Sequence, residues 1–209
     1  MSVEPYLGAL TDPDLILGYR QAEAHDHRNR KPEPEGYLAF LGRFTSGKGV
    51  VTAIETARRL DLPVRLAGWE NDLFATEVAS LVDGEAVRFV GPVHGRERDR
   101  FLGNGSAHLY PITAHEPFGM VMPEAMLCGT PVAAFRVGAV AEIVDEGVTG
   151  CTVPVGSDLA AAVRSALTLD RAGVARAAED RFSAKAMALG FQDVFQDVVI
   201  GRSRRQVVD

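Results

Sequence analysis

The chain has 209 residues, a net charge of −6 and 46% hydrophobic content, enough for one sizeable core and at most two small domains. The acidic balance argues against nucleic acid as a partner, and no apolar run reaches the roughly 20 residues that span a bilayer. Met1-Ser2-Val3-Glu4-Pro5 lacks the pattern of a signal peptide, and Cys128 and Cys151 lie 23 positions apart without metal-ligand spacing, so buried thiols in a reducing cytoplasm are expected.

Residues 1–36 give the weakest pattern. Residues 6–10 suit a short strand, and 13–20 a helix with Pro13 at its first position. Residues 25–36 are charged, carry prolines and end in glycine, which reads as a linker or surface loop. His25 and His27 lack a third ligand nearby and are expected in that loop.

From Tyr37 the alternation becomes regular. Residues 37–42 are a continuous apolar run, expected as a fully buried strand. A loop with two cations, Arg43 and Lys48, and two glycines follows. Residues 50–60 are then a helix with Val50, Val51, Ile54, Ala57 and Leu60 on one side. A strand, a basic glycine-bearing loop and a helix start suit a phosphate, although a solvent-facing turn fits the same residues. The loop has neither the Walker spacing nor the dinucleotide fingerprint.

Residues 64–68 form a second strand ending in Gly68, where a backbone can approach a ligand. Trp69 follows as a rim or packing residue. Asn71 or Asp72 is expected to cap a helix through Leu81. Residues 87–91 are a third strand. Residues 95–104 are a polar helix whose Arg96, Arg98 and Arg100 suit a solvated face.

The apolar run 107–111 is a further strand and leads into the most informative stretch, residues 115–131. Two carboxylates, Glu116 and Glu124, lie eight positions apart there. Glu116 falls in a loop, and Glu124 in the first turns of a mostly apolar helix from Met120 to Cys128, stopped by Gly129. A charge among Met122, Pro123, Ala125, Met126 and Leu127 needs a partner, and a pair of ligand hydroxyls would serve. The turn near Gly119 leaves N–H groups pointing outward, which suits a phosphate or a polar sugar. Residues 131–135 return as a strand, so the whole reads as a parallel α/β unit with ligands expected beyond the strands' carboxyl ends.

Residues 136–144 are a loop and short helix, 151–154 a last short strand, and 158–169 and 172–180 helices. Residues 182–199 form a closing helix whose apolar positions nearly encircle it. Residues 201–209, with Arg202, Arg204 and Arg205, are expected to be a flexible, solvated tail.

The pattern Glu116–x7–Glu124, with Phe118-Gly119 between and Glu124-Ala125-Met126-Leu127-Cys128-Gly129-Thr130-Pro131-Val132 after, resembles the signature of the retaining glycosyltransferases of family four. Those enzymes have the two-domain GT-B fold. The resemblance covers about residues 37–200 and implies a single Rossmann-like domain, one half of a GT-B fold. Its mainly parallel sheet would have about six strands with helices on both faces. It also implies a nucleoside-diphosphate sugar as substrate, with no metal and no cofactor.

By resemblance Glu116 contacts the donor sugar's hydroxyls and Glu124 grips the ribose. Arg43 and Lys48, five positions apart, face the diphosphate, and Val93 lies beside the base. Gly42, Gly68 and the stretch Phe118-Gly119-Met120-Val121 complete the implied site, with Glu116, Arg43 and Lys48 at the chemistry. The sequence departs from the family at Arg98 to Leu102, where Glu-Leu is usual, and at Ala139 and Ala141, where Gly-Gly followed by Pro-Glu is usual and Gly138 keeps one glycine. The family's first domain, on the order of 150–200 residues and holding the acceptor, exceeds what residues 1–36 can supply. The expected partner is therefore that acceptor-binding domain or a separate subunit. Two alternatives stay open: a nucleotide-sugar-binding module without turnover, and half of a nucleotide-sugar epimerase, against which the glutamate motif speaks.

Overall fold

The structure, a computed structural model, describes residues 34–114 and 116–205. The readings for residues 6–10, 13–20, His25 and His27, and for the last residues of the tail, lie outside them.

Six strands form one sheet in the order β3-β2-β1-β4-β5-β6. They are β1 (Tyr37–Leu41), β2 (Val64–Ala67), β3 (Val87–Gly91), β4 (Gly105–Tyr110), β5 (Val132–Phe135) and β6 (Gly150–Val153). Every neighbouring pair is parallel. The continuous apolar runs require this: a strand buried on both faces has no polar side to turn to water. The order is that of a doubly wound sheet.

Helices cover both faces. Helix α1 (Val50–Arg59) buries Val50, Ala53, Ile54 and Ala57 on one face. Helix α5 (Leu159–Ala166) joins it, started by Asp158, whose carboxylate accepts from the Ala160 N–H at 3.1 Å. Together they cover Leu38, Phe40, Leu66, Leu109, Ala133 and Phe135. The opposite face carries Tyr37, Ala39, His108 and Tyr110, and is covered by α2 (Gly95–Gly103) and α3 (Val121–Leu127). There the Tyr37 hydroxyl donates to the Phe101 carbonyl at 2.6 Å.

Each expected strand and helix between 37 and 182 is present, with ends shifted by at most three residues. The stretch after Asn71 differs in type. Asn71 does cap it, accepting from the Phe74 N–H at 3.0 Å, but its backbone is a π-helical turn (Phe74–Val78) and then a 3₁₀ turn (Ala79–Leu81). The Phe74 ring lies 5.5 Å from Phe44 and 4.5 Å from Phe89. A wide turn that fits large side chains into a packed surface is what sequence periodicity misses.

Lys31–Ala178 form one compact unit, and residues from Glu179 belong to another. Between β5 and α5 lies the short α4 (Val140–Ile143), and α6 (Arg171–Phe182) runs across the boundary. Helix α7 (Ala184–Arg205) extends past the expected end at Val199, and Leu189, Phe191, Val194, Phe195 and Val198 along it are exposed. No described helix is long and apolar enough to cross a membrane.

Candidate functional site

In a doubly wound sheet the loops leaving two adjacent strands diverge where the strand order reverses, and a crevice opens between them. Here that point lies between β1 and β4. The loop after β1 is anchored by Phe44, which is buried against Phe40 and Phe74 and whose carbonyl accepts from the Asn71 amide at 2.8 Å. The chain then makes a 3₁₀ turn (Ser46–Lys48) and leaves it through Gly49 at φ 72°. A Cβ on Gly49 would lie 2.2 Å from the Pro111 carbonyl oxygen, so only glycine lets the two loops meet. The Thr113 N–H donates to the Gly47 carbonyl at 3.0 Å and fastens them.

This contact carries Lys48 across to Glu116, 68 positions later, and its ammonium donates to Glu116 Oε2. The backbone of Glu116 is backed by Gly138 in the loop after β5, where a Cβ would meet the Glu116 carbonyl at 3.0 Å. That glycine stands in a region where the sequence departs from the family pattern, yet its bare backbone still borders the acid.

Glu124 sits in the first turn of α3, half-buried, beside Met122, Ala125 and Met126 in the core. Its partner is Arg98 on α2, whose Nη1 donates to Glu124 Oε1 at 2.7 Å. This corrects the solvated-face reading of the 95–104 arginines. Arg96 and Arg100 are exposed, but Arg98 and Asp99 turn inward. The charge among apolar neighbours thus has a partner within the protein.

The resulting pocket, about 430 Å³, is lined by Gly42, Arg43, Lys48, Glu116, Phe118, Gly119, Met120, Val121 and Glu124, with Tyr110 and Ile112 among the apolar walls. Two cations and two carboxylates thus border one space at the sheet's switch point. Gly68 and Val93 are not among the lining residues. At Gly68 the close approach is made by the protein itself, since a Cβ there would lie 2.3 Å from the Gly42 carbonyl oxygen. Val93 is buried, and beyond it Trp69, 66% exposed, lies with its ring centroid 6.1 Å from that of His94.

Burial and the neighbouring Arg43 push the Lys48 ammonium down from the usual lysine range. Burial pushes Glu124 up from the usual carboxylate range; Arg98 opposes the rise and Asp99 adds to it. Beneath Gly119 the Tyr110 hydroxyl is buried, and burial raises it to about 12. Burial likewise lifts the Cys128 thiol to about 12. Among the described residues no group of three or more His, Cys, Asp or Glu could hold a metal ion.

Arg171 braces the ground under the site. Its guanidinium donates to the Gly105 carbonyl at 2.7 Å and the Gly103 carbonyl at 2.6 Å, where α2 passes into β4. Thr130, at the end of the α3 turn, donates to the Leu102 carbonyl at 2.7 Å.

Among curated proteins the chain is 35% identical over 129 residues to a phosphatidyl-myo-inositol mannosyltransferase of Propionibacterium freudenreichii subsp. shermanii, covering 59% of this chain and 32% of that protein. It is 34% identical over 157 residues to a glycogen synthase of Mycobacterium tuberculosis, covering 70% and 38%. The chain thus spans about a third of the length of these relatives. Among solved structures, AviGT4, a glycosyltransferase involved in avilamycin A biosynthesis, superposes with a TM-score of 0.69 at 27% identity over 82% of this chain and 54% of that one. Anabaena Alr3699/HepE, crystallised with UDP and glucose, shares the fold with a TM-score of 0.65 at 22% identity over 77% and 48%. The six-stranded parallel sheet with helices on both faces is the Rossmann-like half of these GT-B neighbours. The model for glycosyl transferases group 1 matches residues 21–186, most of the chain, and the chain belongs to that family of glycosyltransferases.

Proposed function

We propose that this chain is the donor-binding half of a retaining glycosyltransferase, holding a nucleoside-diphosphate sugar for transfer to an acceptor bound by an N-terminal domain or a separate subunit, in the cytoplasm. The reading rests on one juxtaposition: Arg43 and Lys48 face Glu116 and Glu124 around one pocket. Arg43 grips diphosphate oxygens with its planar fork, and Lys48 adds a mobile point charge. Glu116 accepts from sugar hydroxyls and Glu124 from the ribose diol. Gly42 and the stretch from Phe118 to Val121 form the wall along the ligand.

As the bond between the sugar's anomeric carbon and the diphosphate oxygen breaks, its electron pair stays with the diphosphate. Negative charge grows there, and two cations already in place stabilise it without waiting for solvent to reorganise. Helix α3 has only seven residues, so its dipole is short and the side-chain cations carry most of this effect. Lys48 leaves its pair with Glu116 when phosphate arrives, which frees that carboxylate for the sugar.

The test is a thermal-shift panel of UDP-, GDP-, ADP- and dTDP-glucose on this chain. One ligand at about a hundred times its Kd should stabilise the fold by about 2.7 kcal/mol, a rise of several degrees. No shift with any of the four contradicts the proposal. Binding without transfer after the acceptor half is supplied would favour a non-catalytic binding module.

A further inference from the structure

Arg98 is set apart from its neighbours on α2. Arg96 and Arg100 point to water, whereas the Arg98 side chain is 35% exposed and meets a Glu124 side chain that is 24% exposed. The contact joins two helices whose residues lie 26 positions apart. Arg98 Nε is buried and stands 3.7 Å from Asp99 Oδ1, beyond hydrogen-bond reach. The buried, unbonded Nε–H costs free energy, which the charge-assisted bond to Glu124 offsets. Arg98 does not line the pocket, while Glu124 does.

We infer that Arg98 is a positioning residue for the nucleotide: from behind the pocket it holds Glu124 ionised and in one rotamer, leaving Oε2 for the ribose diol. This inference rests on the proposed nucleotide site and adds a residue to it. A carboxylate accepts at two oxygens. Engaging Oε1 from one side leaves the other for the ligand, with the rotamer already chosen. An ionised acceptor also makes a stronger bond to a hydroxyl than a protonated one.

The charged and titratable groups around Glu124 set the sign of the pH effect. Arg98 and Asp99 face it from α2, Cys128 lies just past the end of its helix, and Arg43, Lys48 and Glu116 border the same pocket from the two loops. Burial and Asp99 favour the protonated acid, and Arg98 opposes them. Without Arg98 the acid holds its proton to higher pH, so affinity is lost earlier as pH falls.

The experiment is calorimetric titration of UDP, GDP and ADP into the full chain at several pH values between 8 and 5.5. It compares wild type, Arg98→Met, Arg98→Gln and Arg98→Lys. The ligand's own phosphate titration is common to all and cancels in the ratio of variant to wild type. Arg98→Met should weaken binding about tenfold at pH 7, the size expected for a hydrogen bond to a charged group. The ratio should widen as pH falls, and Arg98→Lys should recover most of the affinity. If Arg98→Met fails to fold, Arg98→Gln keeps a polar side chain with an N–H donor, though a shorter one without charge, and should show the same widening ratio. A ratio of one for the folded variants overturns the inference while leaving the nucleotide site standing. A weakening that is constant with pH marks a packing role and also overturns it. No binding by the wild type overturns the nucleotide site and this inference with it.

Discussion

The two faces of the sheet are built differently. Under α1 and α5 the contacts are mostly apolar, among them Leu38, Phe40, Leu66, Leu109, Ile54 and Val163. Under α2 and α3 the same strands present Tyr37, His108 and Tyr110, and the helices bring Arg98, Glu124 and Thr130. His108 is fully buried. The first face supplies stability that is indifferent to pH, through area removed from water. The second trades some of that stability for polar groups placed beside the pocket, as sites on packed scaffolds generally do.

The largest expected effect sharpens this contrast. Leu109→Ala on the apolar face should lower unfolding free energy by about 3 kcal/mol in urea titrations, equally at pH 7 and pH 5. A loss that varied with pH would mean the faces are coupled.

His108 should give the next largest effect, and only below neutrality. Burial lowers its pKa to about 4, against about 6.5 in the unfolded chain. The unfolded state therefore takes up a proton first as pH drops. Stability is fully present above about 6.5 and falls through that window by roughly 3 kcal/mol as pH approaches 4. His108→Leu should flatten this part of the profile; an unchanged slope would assign it to other groups.

Gly138→Ala tests the site more than the fold. Its φ of 56° and the contact with Glu116 predict a stability loss near 1 kcal/mol together with severalfold weaker binding of the nucleotide sugar, read by calorimetry. Unchanged affinity would show that Glu116 does not depend on this backing. At the small end, Arg96→Ala should change stability by less than about 0.5 kcal/mol and leave nucleotide affinity alone, in contrast to Arg98.

The apolar face explains why most of the fold was legible. Buried strands read as unbroken apolar runs at 37–42 and 131–135, and α1 and α5 as helical stripes ended by Gly, Asp or Pro, all local signals. The glutamate motif was legible for the same reason, being one continuous stretch. What escaped depends on contacts between distant segments. Nothing near Arg98 distinguishes it from Arg96 or Arg100 until α2 is laid against α3. The meeting of Lys48 with Glu116 needs Gly49 against Pro111, a fit that exists only once β1 and β4 are paired. The π-helical turn at Phe74 packs on the rings of Phe44, in the loop after β1, and Phe89, on β3, again from distant segments.

The most direct measurement is the affinity of a nucleoside diphosphate for Glu124→Ala, beside wild type, by calorimetry at pH 7 and with thermal melting as the control for folding. Loss of a carboxylate that accepts the ribose diol predicts at least a tenfold rise in Kd with the chain still folded. An unchanged Kd in a folded Glu124→Ala would contradict the nucleotide pocket.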